Sequence, residues 1–156
     1  MDSPIVSEAV RGDVDALAFL HEMAFVLHWY DDLVDRDRWI SDDTTHNAMW
    51  RALVTLPRNA FYRAHFEELN PILVSAIANW RIANVLERQR EPSVADLAIA
   101  FVTRSTYVDL VTMCATIIGG VDWAVEQGVA IRRWAHSEGF ARYLDNLAAE
   151  KAARKG

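Results

Sequence analysis

The sequence predicts an all-α protein, with a single helical-bundle domain over residues 1–156. Two observations carry this prediction. Every long segment has apolar residues recurring at the spacing of an α-helix, and no stretch of useful length alternates apolar and polar residues as a strand does. Asn-Gly and Asp-Gly hairpin turns are also absent. A chain of 156 residues, 52% of them hydrophobic, can bury a core of its own.

Capping residues and prolines place the helices of the first half. A short helix is predicted over residues 4–10, followed by a long helix over 14–35 that Asp13 caps. Asp43 is the predicted cap of a short helix over 44–54, which Pro57 ends, and another short helix covers 58–68. Asn70 and Pro71 form a helix start signal, which predicts a helix over 71–90.

The second half begins with a capping signal, Ser93 followed by Asp96. It precedes the most apolar segment, predicted as one central helix over 94–118 that Gly119 and Gly120 stop. A short helix over 122–127, closed by Gly128, and a last helix over 129–153 complete the bundle.

Charge and hydropathy limit the functional class and the cellular location. The net charge of −6 argues against a nucleic-acid binder that uses a basic surface patch. The single cysteine, Cys114, lies in an apolar run and is predicted to be a small buried hydrophobe. The first residues lack the basic start and apolar stretch of a signal peptide. The longest apolar run, 107–120, contains Asp109 and is shorter than a membrane span, so we expect a cytoplasmic protein with no transmembrane segment.

Three carboxylates end the first long helix, and they are the main candidate site. Asp31 and Asp35 are one helical turn apart, and Asp32 lies to one side of them. Like charges at this spacing repel, and acids at a helix C-terminus oppose the helix dipole. Residues that are unfavourable for the local helix often mark functional sites. Clustered carboxylates are typical ligands of Mg²⁺, which also binds substrate phosphates. The alternative interpretation is a solvated acidic helix end.

Two later helices carry polar residues at helical spacing. One stripe consists of Thr103, Thr106, Asp109, Thr112 and Thr116. This stripe could line a water-filled cavity. Alternatively, the threonine hydroxyls could bond to backbone carbonyls of the preceding helical turn, which requires no cavity. A buried Asp109 would need a hydrogen-bond or ion-pair partner. The other stripe consists of His136, Gly139, Tyr143, Asn146 and Glu150. Gly139 within a helix would allow close helix packing; the simpler explanation of the stripe is the polar face of a surface helix.

The segment Asp31-Asp32-Leu33-Val34-Asp35 resembles the DDxxD motif of the class I isoprenoid (terpenoid) synthases. Residues 139–150 are similar to the second motif of the squalene/phytoene synthase branch, G-x-A-x-Q-L-T-N-I-x-R-D, with matches at Gly139, Ala141, Leu144 and Asn146. Tyr107 and Val111 resemble the Tyr-x-x-x-Val of the preceding helix. The sequence departs from the family at Tyr143 in place of Gln, Ala149 in place of Arg and Glu150 in place of Asp.

The resemblance implies an isoprenoid-synthase-like fold in which the two motifs face each other across the bundle. It also implies a Mg²⁺-dependent enzyme acting on a prenyl diphosphate. The implied metal ligands are Asp31, Asp32, Asp35, Asn146 and Glu150. The candidate substrate-binding residues are Arg36, Arg38, Tyr107, Asp109 and Tyr143, with the arginines placed to pair with phosphate oxygens.

Two alternatives remain open. One is an all-α nucleotide pyrophosphohydrolase, which would hydrolyse nucleoside triphosphates and ignore prenyl diphosphates. The other is a non-catalytic structural or interaction protein whose second motif binds no metal, as Ala149 would fit. Because six tryptophans and many apolar residues accompany a short chain, we also expect a homodimer that covers an apolar face.

Overall fold

The computed structural model describes residues 3–36 and 38–153, and it confirms the all-α prediction. The protein is 84% helical, and no strand occurs in the described ranges. The α-helices there are α1 (Pro4–Ala9), α2 (Val14–Asp35), α3 (Asp42–Trp50), α4 (Ala60–Ala64), α5 (Phe66–Glu87), α6 (Val94–Thr103), α7 (Thr106–Ala135) and α8 (Phe140–Ala153). A π-helical turn (Arg51–Thr55) and a 3-10 turn (Leu56–Arg58) join α3 to α4. The ends of the predicted domain, 1–2 and 154–156, lie outside the described residues, as does 37.

Two of the predicted helix starts are confirmed by their hydrogen bonds. The Asp13 carboxylate accepts the backbone N–H groups of Asp15 and Ala16, at 3.1 and 2.8 Å, and so caps α2. At the start of α6, Ser93 and Asp96 bond each other's backbone N–H groups, which completes the predicted capping box.

Two predicted starts in the first half are wrong. The hydroxyl of Ser41, not the carboxylate of Asp43, accepts the N–H of Thr44 and caps α3. Pro71 does not begin a helix but lies inside α5. The proline leaves the carbonyl of Glu67 without its usual helical donor, and Glu67 is exposed, so water can take that role.

The boundaries in the second half also differ from the prediction. The expected single helix over 94–118 breaks at Arg104 and Ser105, between α6 and α7. Gly120 (φ +83°) breaks the helical geometry of α7, as the glycine signal predicted, but the helix resumes and continues through Gly128. The expected helix over 129–153 is interrupted at 136–139, so Gly139 (φ +77°) precedes α8 and does not mediate helix packing.

The core lies mainly between α2 and α7, with α1 and α5 packed against it. Phe19 and Leu20 of α2 are buried, as are Leu110 and Cys114 of α7. Cys114 is a free buried thiol, as predicted, and its burial raises its pKa to about 12. Because α5 packs on α6 and α6 packs on α8, the C-terminal ends of α2, α5 and α6 meet α8 at one end of the molecule.

One stretch has the length and composition of a membrane-spanning helix. Thr106–Ala152 contains a window with a mean hydropathy of 1.5, of which 33% is buried in the fold. Core helices of globular proteins reach the same value, and this stretch is broken at Gly120 and again at 136–139. The absence of a transmembrane segment therefore stays a prediction.

Candidate functional site

The three acids at the end of α2 separate onto two faces of the helix. Asp31 and Asp35 point towards α6, where both accept hydrogen bonds from Nη2 of Arg104, at 2.8 and 2.6 Å. Asp32 lies on another face and pairs with the exposed Arg38. Arg88 of the segment after α5 adds a 3.2 Å bond to Asp35. The predicted cluster is therefore a pair of carboxylates held by two arginines, with the third carboxylate on another face of the helix.

Arg104 is the centre of an ion network that joins α2 and α5 to the turn after α6. Its Nη1 donates to Oε2 of Glu87 at 2.6 Å, while Nη2 donates to the two acids of α2. Glu87 is nearly buried, with 5% of its side chain exposed. Burial alone would lower the pKa of Arg104, but the charge of Glu87 and the bond to Asp35 raise it overall. Arg104 therefore stays charged and neutralises part of the acidic cluster.

Tyr143 of α8 completes this network on the other side. Its hydroxyl donates a hydrogen bond to Oε1 of Glu87, so the one carboxylate links α5 to both Arg104 and α8. Burial raises the pKa of the Tyr143 phenol, and the bond to Glu87 raises it further. Tyr143 is therefore a neutral donor, and it orients Glu87 towards Arg104.

A cavity of about 260 Å³ lies between the end of α2 and α8. We call it the motif cavity, because Asp31 and Asp35 of the first motif and Tyr143, Asn146 and Glu150 of the second all line it. The remaining lining residues are Phe101, Arg104, Ser105, Ala135, His136, Glu138 and Leu147. The structure thus brings together five of the ten candidate site residues from two distant parts of the chain.

The other five candidates lie outside the motif cavity. Asp32 and Arg38 line a larger open groove of about 630 Å³ with His28, on another face of α2. Arg36 is exposed and ends α2 in a left-handed conformation, φ +56°. Tyr107 packs on Trp134 and the core. Asp109 pairs at 2.9 Å with Arg132, and both side chains are substantially exposed.

The threonines of the predicted polar stripe do not line the motif cavity. The hydroxyls of Thr103, Thr112 and Thr116 donate to the carbonyls of Ile99, Val108 and Thr112. These are bonds to the preceding helical turn. The interpretation of the stripe as hydroxyls bonded to the preceding helical turn therefore describes these three threonines, and they need no water-filled cavity.

The motif cavity carries an excess of negative charge. The acids that line it are Asp31, Asp35, Glu138 and Glu150; Arg104 lies among them, and Arg88 also bonds Asp35. Burial raises the pKa of Asp31 to about 6; Arg104 opposes this shift, and the neighbouring Asp35 adds to it. Burial and the charge of Arg132 lower the pKa of His136, so it adds little positive charge near neutral pH.

The donors suit Mg²⁺ in type but do not form a complete metal cage. Within residues 3–36 and 38–153, no group of three or more His, Cys, Asp or Glu side chains is placed to hold a metal ion. Magnesium is commonly held through one or two carboxylates, with waters and substrate phosphates as the other ligands. Asp31 and Asp35, opposite Asn146 and Glu150, fit that partial role.

Several residues of this site were not among the sequence candidates, and three of them determine most of its charge and hydrogen bonding. Arg104 and Glu87 carry the network, and His136, which the sequence indicated only as part of a surface stripe, lines the motif cavity. Arg104 could have been found, because a cation within the most apolar segment must find a partner when buried. Glu87 gave no comparable signal, since it is followed by a polar, charged stretch.

Comparison of the chain with protein-family models, with curated proteins and with solved structures gave no match in any of the three.

Proposed function

We propose that this protein binds a diphosphate ester together with Mg²⁺ in the motif cavity and acts on it as an isoprenoid-synthase-like enzyme. One observation carries the proposal: acids at the end of α2 and oxygen donors of α8 line one cavity, although more than a hundred residues separate them in the chain. The fold resemblance and the prenyl nature of the substrate rest on the motif similarity alone.

The side chains of the motif cavity have distinct roles in this proposal. Asp31 and Asp35 supply carboxylate oxygens from one wall, and Asn146 and Glu150 supply oxygens from the other. When bound, Mg²⁺ neutralises the diphosphate and assists its departure as pyrophosphate. Arg104 holds the two aspartates in place and lies where its guanidinium can also face phosphate oxygens. Tyr143 and Glu87 fix the position of Arg104.

The charge of the motif cavity determines in which form a diphosphate can bind. With four acids and one arginine in its lining, the cavity repels a free diphosphate and attracts a cation. We therefore expect the diphosphate to bind only as its magnesium complex.

The test is a thermal melting experiment with three additions: Mg²⁺ alone, pyrophosphate alone, and both together. Both together should raise the melting temperature by about 5–10 °C at about 100 times the dissociation constant, since that concentration contributes about 2.7 kcal/mol. Pyrophosphate alone should give no increase. The double variant Asp31→Asn/Asp35→Asn should lose the response, and Asp42→Asn/Asp43→Asn, with the same charge change on exposed acids, should keep it. A wild-type melting curve that the combined addition leaves unmoved contradicts the proposal.

A second assay separates the enzymatic alternatives. Release of pyrophosphate from farnesyl diphosphate, with no hydrolysis of nucleoside triphosphates, supports the proposal. The opposite preference identifies a nucleotide pyrophosphohydrolase.

The second candidate function is that of a non-catalytic structural or interaction protein. The satisfied ion network favours it, because Arg104 already pairs with Asp31, Asp35 and Glu87 without any ligand. In that case, the network only joins the helices, and neither Mg²⁺ nor pyrophosphate changes the melting temperature or the oligomeric state.

A further inference from the structure

The part of α7 that follows the break at Gly120 presents an exposed apolar stripe. Val121, Val125 and Val129 are 66%, 68% and 57% exposed, while Ala124 between them is buried against the core. At 100° per residue the three valines lie within about 80° of the helix circumference, so they form one continuous surface. We call this surface the valine face. Single exposed apolar residues are normal, but a stripe of them is typical of a contact surface.

Charged side chains of opposite sign lie along one edge of the valine face. Asp122 and Glu126 are near its start and Arg133 lies beyond its end, and all three are exposed and within about 60° of the nearest valine around the helix. None of the three forms an ion pair within the described part of the chain. The neighbouring Arg132, by contrast, is already paired. The edge therefore has an acidic end and a basic end.

An edge with this charge order is complementary to a second copy of itself in one orientation. When two copies of the helix pack antiparallel with Val125 opposite Val129, the acidic end of each edge faces the basic end of the other. Arg133 then lies opposite Val121 and one residue from Asp122, so its aliphatic stem can cover the valine while its guanidinium pairs with the carboxylate. In a parallel pair each charged residue would face its own copy, and like charges repel.

We infer that the valine face is the contact surface of a homodimer in which α7 helices of two copies pack antiparallel, with two symmetric ion pairs between Asp122 and Arg133. Burial of the valines supplies the driving force. The charges identify the partner as a second copy and set its direction. The dipole of the helix favours the same charge order in a monomer, since acids are stabilised near a helix start and bases near its end. The experiment must therefore separate pairing from the dipole.

The experiment reverses the two charges singly and together and measures the dimer dissociation constant by sedimentation equilibrium. Asp122→Arg alone and Arg133→Asp alone should each weaken the dimer about tenfold or more, because like charges then meet at both symmetric positions. The double variant Asp122→Arg/Arg133→Asp restores opposite charges and should return to within about threefold of the wild type. The controls Asp43→Arg and Arg63→Asp, at exposed positions of α3 and α4, should leave the dimer unchanged.

The double variant decides between pairing and the dipole. If the charges serve only the dipole of α7, the double variant has both unfavourable charges and its dimerisation does not recover, which overturns the inference. A dimer that neither single reversal weakens also overturns it, because the copies then pack parallel or through another surface. If one single variant does not fold, the other single variant and the double variant give the answer.

The wild type tests the choice of partner. It should be dimeric at concentrations on the order of tens of micromolar. A wild type that is monomeric at these concentrations overturns the inference, and if it then binds vesicles of phosphatidylcholine, a membrane covers the valine face.

Discussion

Arg104 and Glu87 form an ion pair in which Nη1 lies 2.6 Å from Oε2, with 22% and 5% of the two side chains exposed. The pair joins the turn after α6 to the last residue of α5, and Arg104 extends it to both inward-facing acids of α2. Removing the cation would leave three carboxylates close together and partly desolvated. Loss of one partner in such a network costs much more than loss of an exposed pair.

The first prediction is that Arg104→Ala lowers the free energy of unfolding by about 3 kcal/mol. The matched control is Arg132→Ala, which breaks the exposed pair with Asp109 and should cost about 0–1 kcal/mol. Urea unfolding at neutral pH measures both. Equal costs for the two variants would mean that the network does not hold the helices together.

The second prediction concerns pH and Asp31. Because its pKa in the folded protein is about 6, above the value of about 3.9 in an unfolded chain, the folded state binds more protons between those values. Asp31 therefore reduces stability as the pH rises from about 4 to about 6. Asp31→Asn should remove this loss and be more stable than the wild type at pH 7, by about 1 kcal/mol after allowance for a side chain that is 39% exposed.

The measurement is the difference in unfolding free energy between Asp31→Asn and the wild type at pH 4 and at pH 7. The difference is needed because His136, whose pKa is lowered, changes stability in the opposite direction with pH. A variant that is less stable than the wild type at pH 7 would show that the bond from Arg104 outweighs the burial of the carboxylate.

The third prediction compares two glycines of α7. Gly120 has φ +83° and ψ 175°, a region open almost only to glycine, so Gly120→Ala should destabilise the protein by about 1–3 kcal/mol. Gly128 is helical, and a Cβ added there would meet nothing within 4 Å, so Gly128→Ala should stabilise by about 0.4–1 kcal/mol. Thermal unfolding of the two variants gives the signs. Destabilisation by both would contradict the assigned backbone geometry.

The fourth prediction concerns assembly. Val121, Val125 and Val129 recur every four residues along α7, and each is more than half exposed, so together they form one uncovered apolar face. We expect a homodimer that covers this face. Light scattering at tens of micromolar should show a dimer for the wild type and for the control Val14→Glu, and a monomer for Val125→Glu. A monomeric wild type contradicts the prediction.

The sequence predicted correctly those helix starts that depend on hydrogen bonds between residues close together in the chain. The caps at Asp13 and Ser93 are bonds within a few residues, and the sequence contains both partners of each. Pro71 was misleading because the carbonyl that loses its donor belongs to Glu67, which is exposed and can reach water, while the buried Leu69 holds that end of α5 in the core. Tertiary packing overrides a start signal in that case.

The motif cavity was predictable only in part. Asp31 and Asp35 could be paired with Asn146 and Glu150 from the motif resemblance, and the structure places all four at one cavity. The turn at Arg104 could not be predicted, because no glycine or proline marks it. The arginine bonds to residues of other helices at this turn, and these partners are distant in sequence.

That distance has a consequence for how the chain folds. The bonds from Arg104 to Asp31 and Asp35 close loops of 73 and 69 residues, so we expect them to form after the rest of the fold has brought α2 and α6 together. Contacts that form after the folding transition state slow unfolding and leave the folding rate nearly unchanged. We therefore expect the ion network at the motif cavity to slow unfolding more than it changes the folding rate.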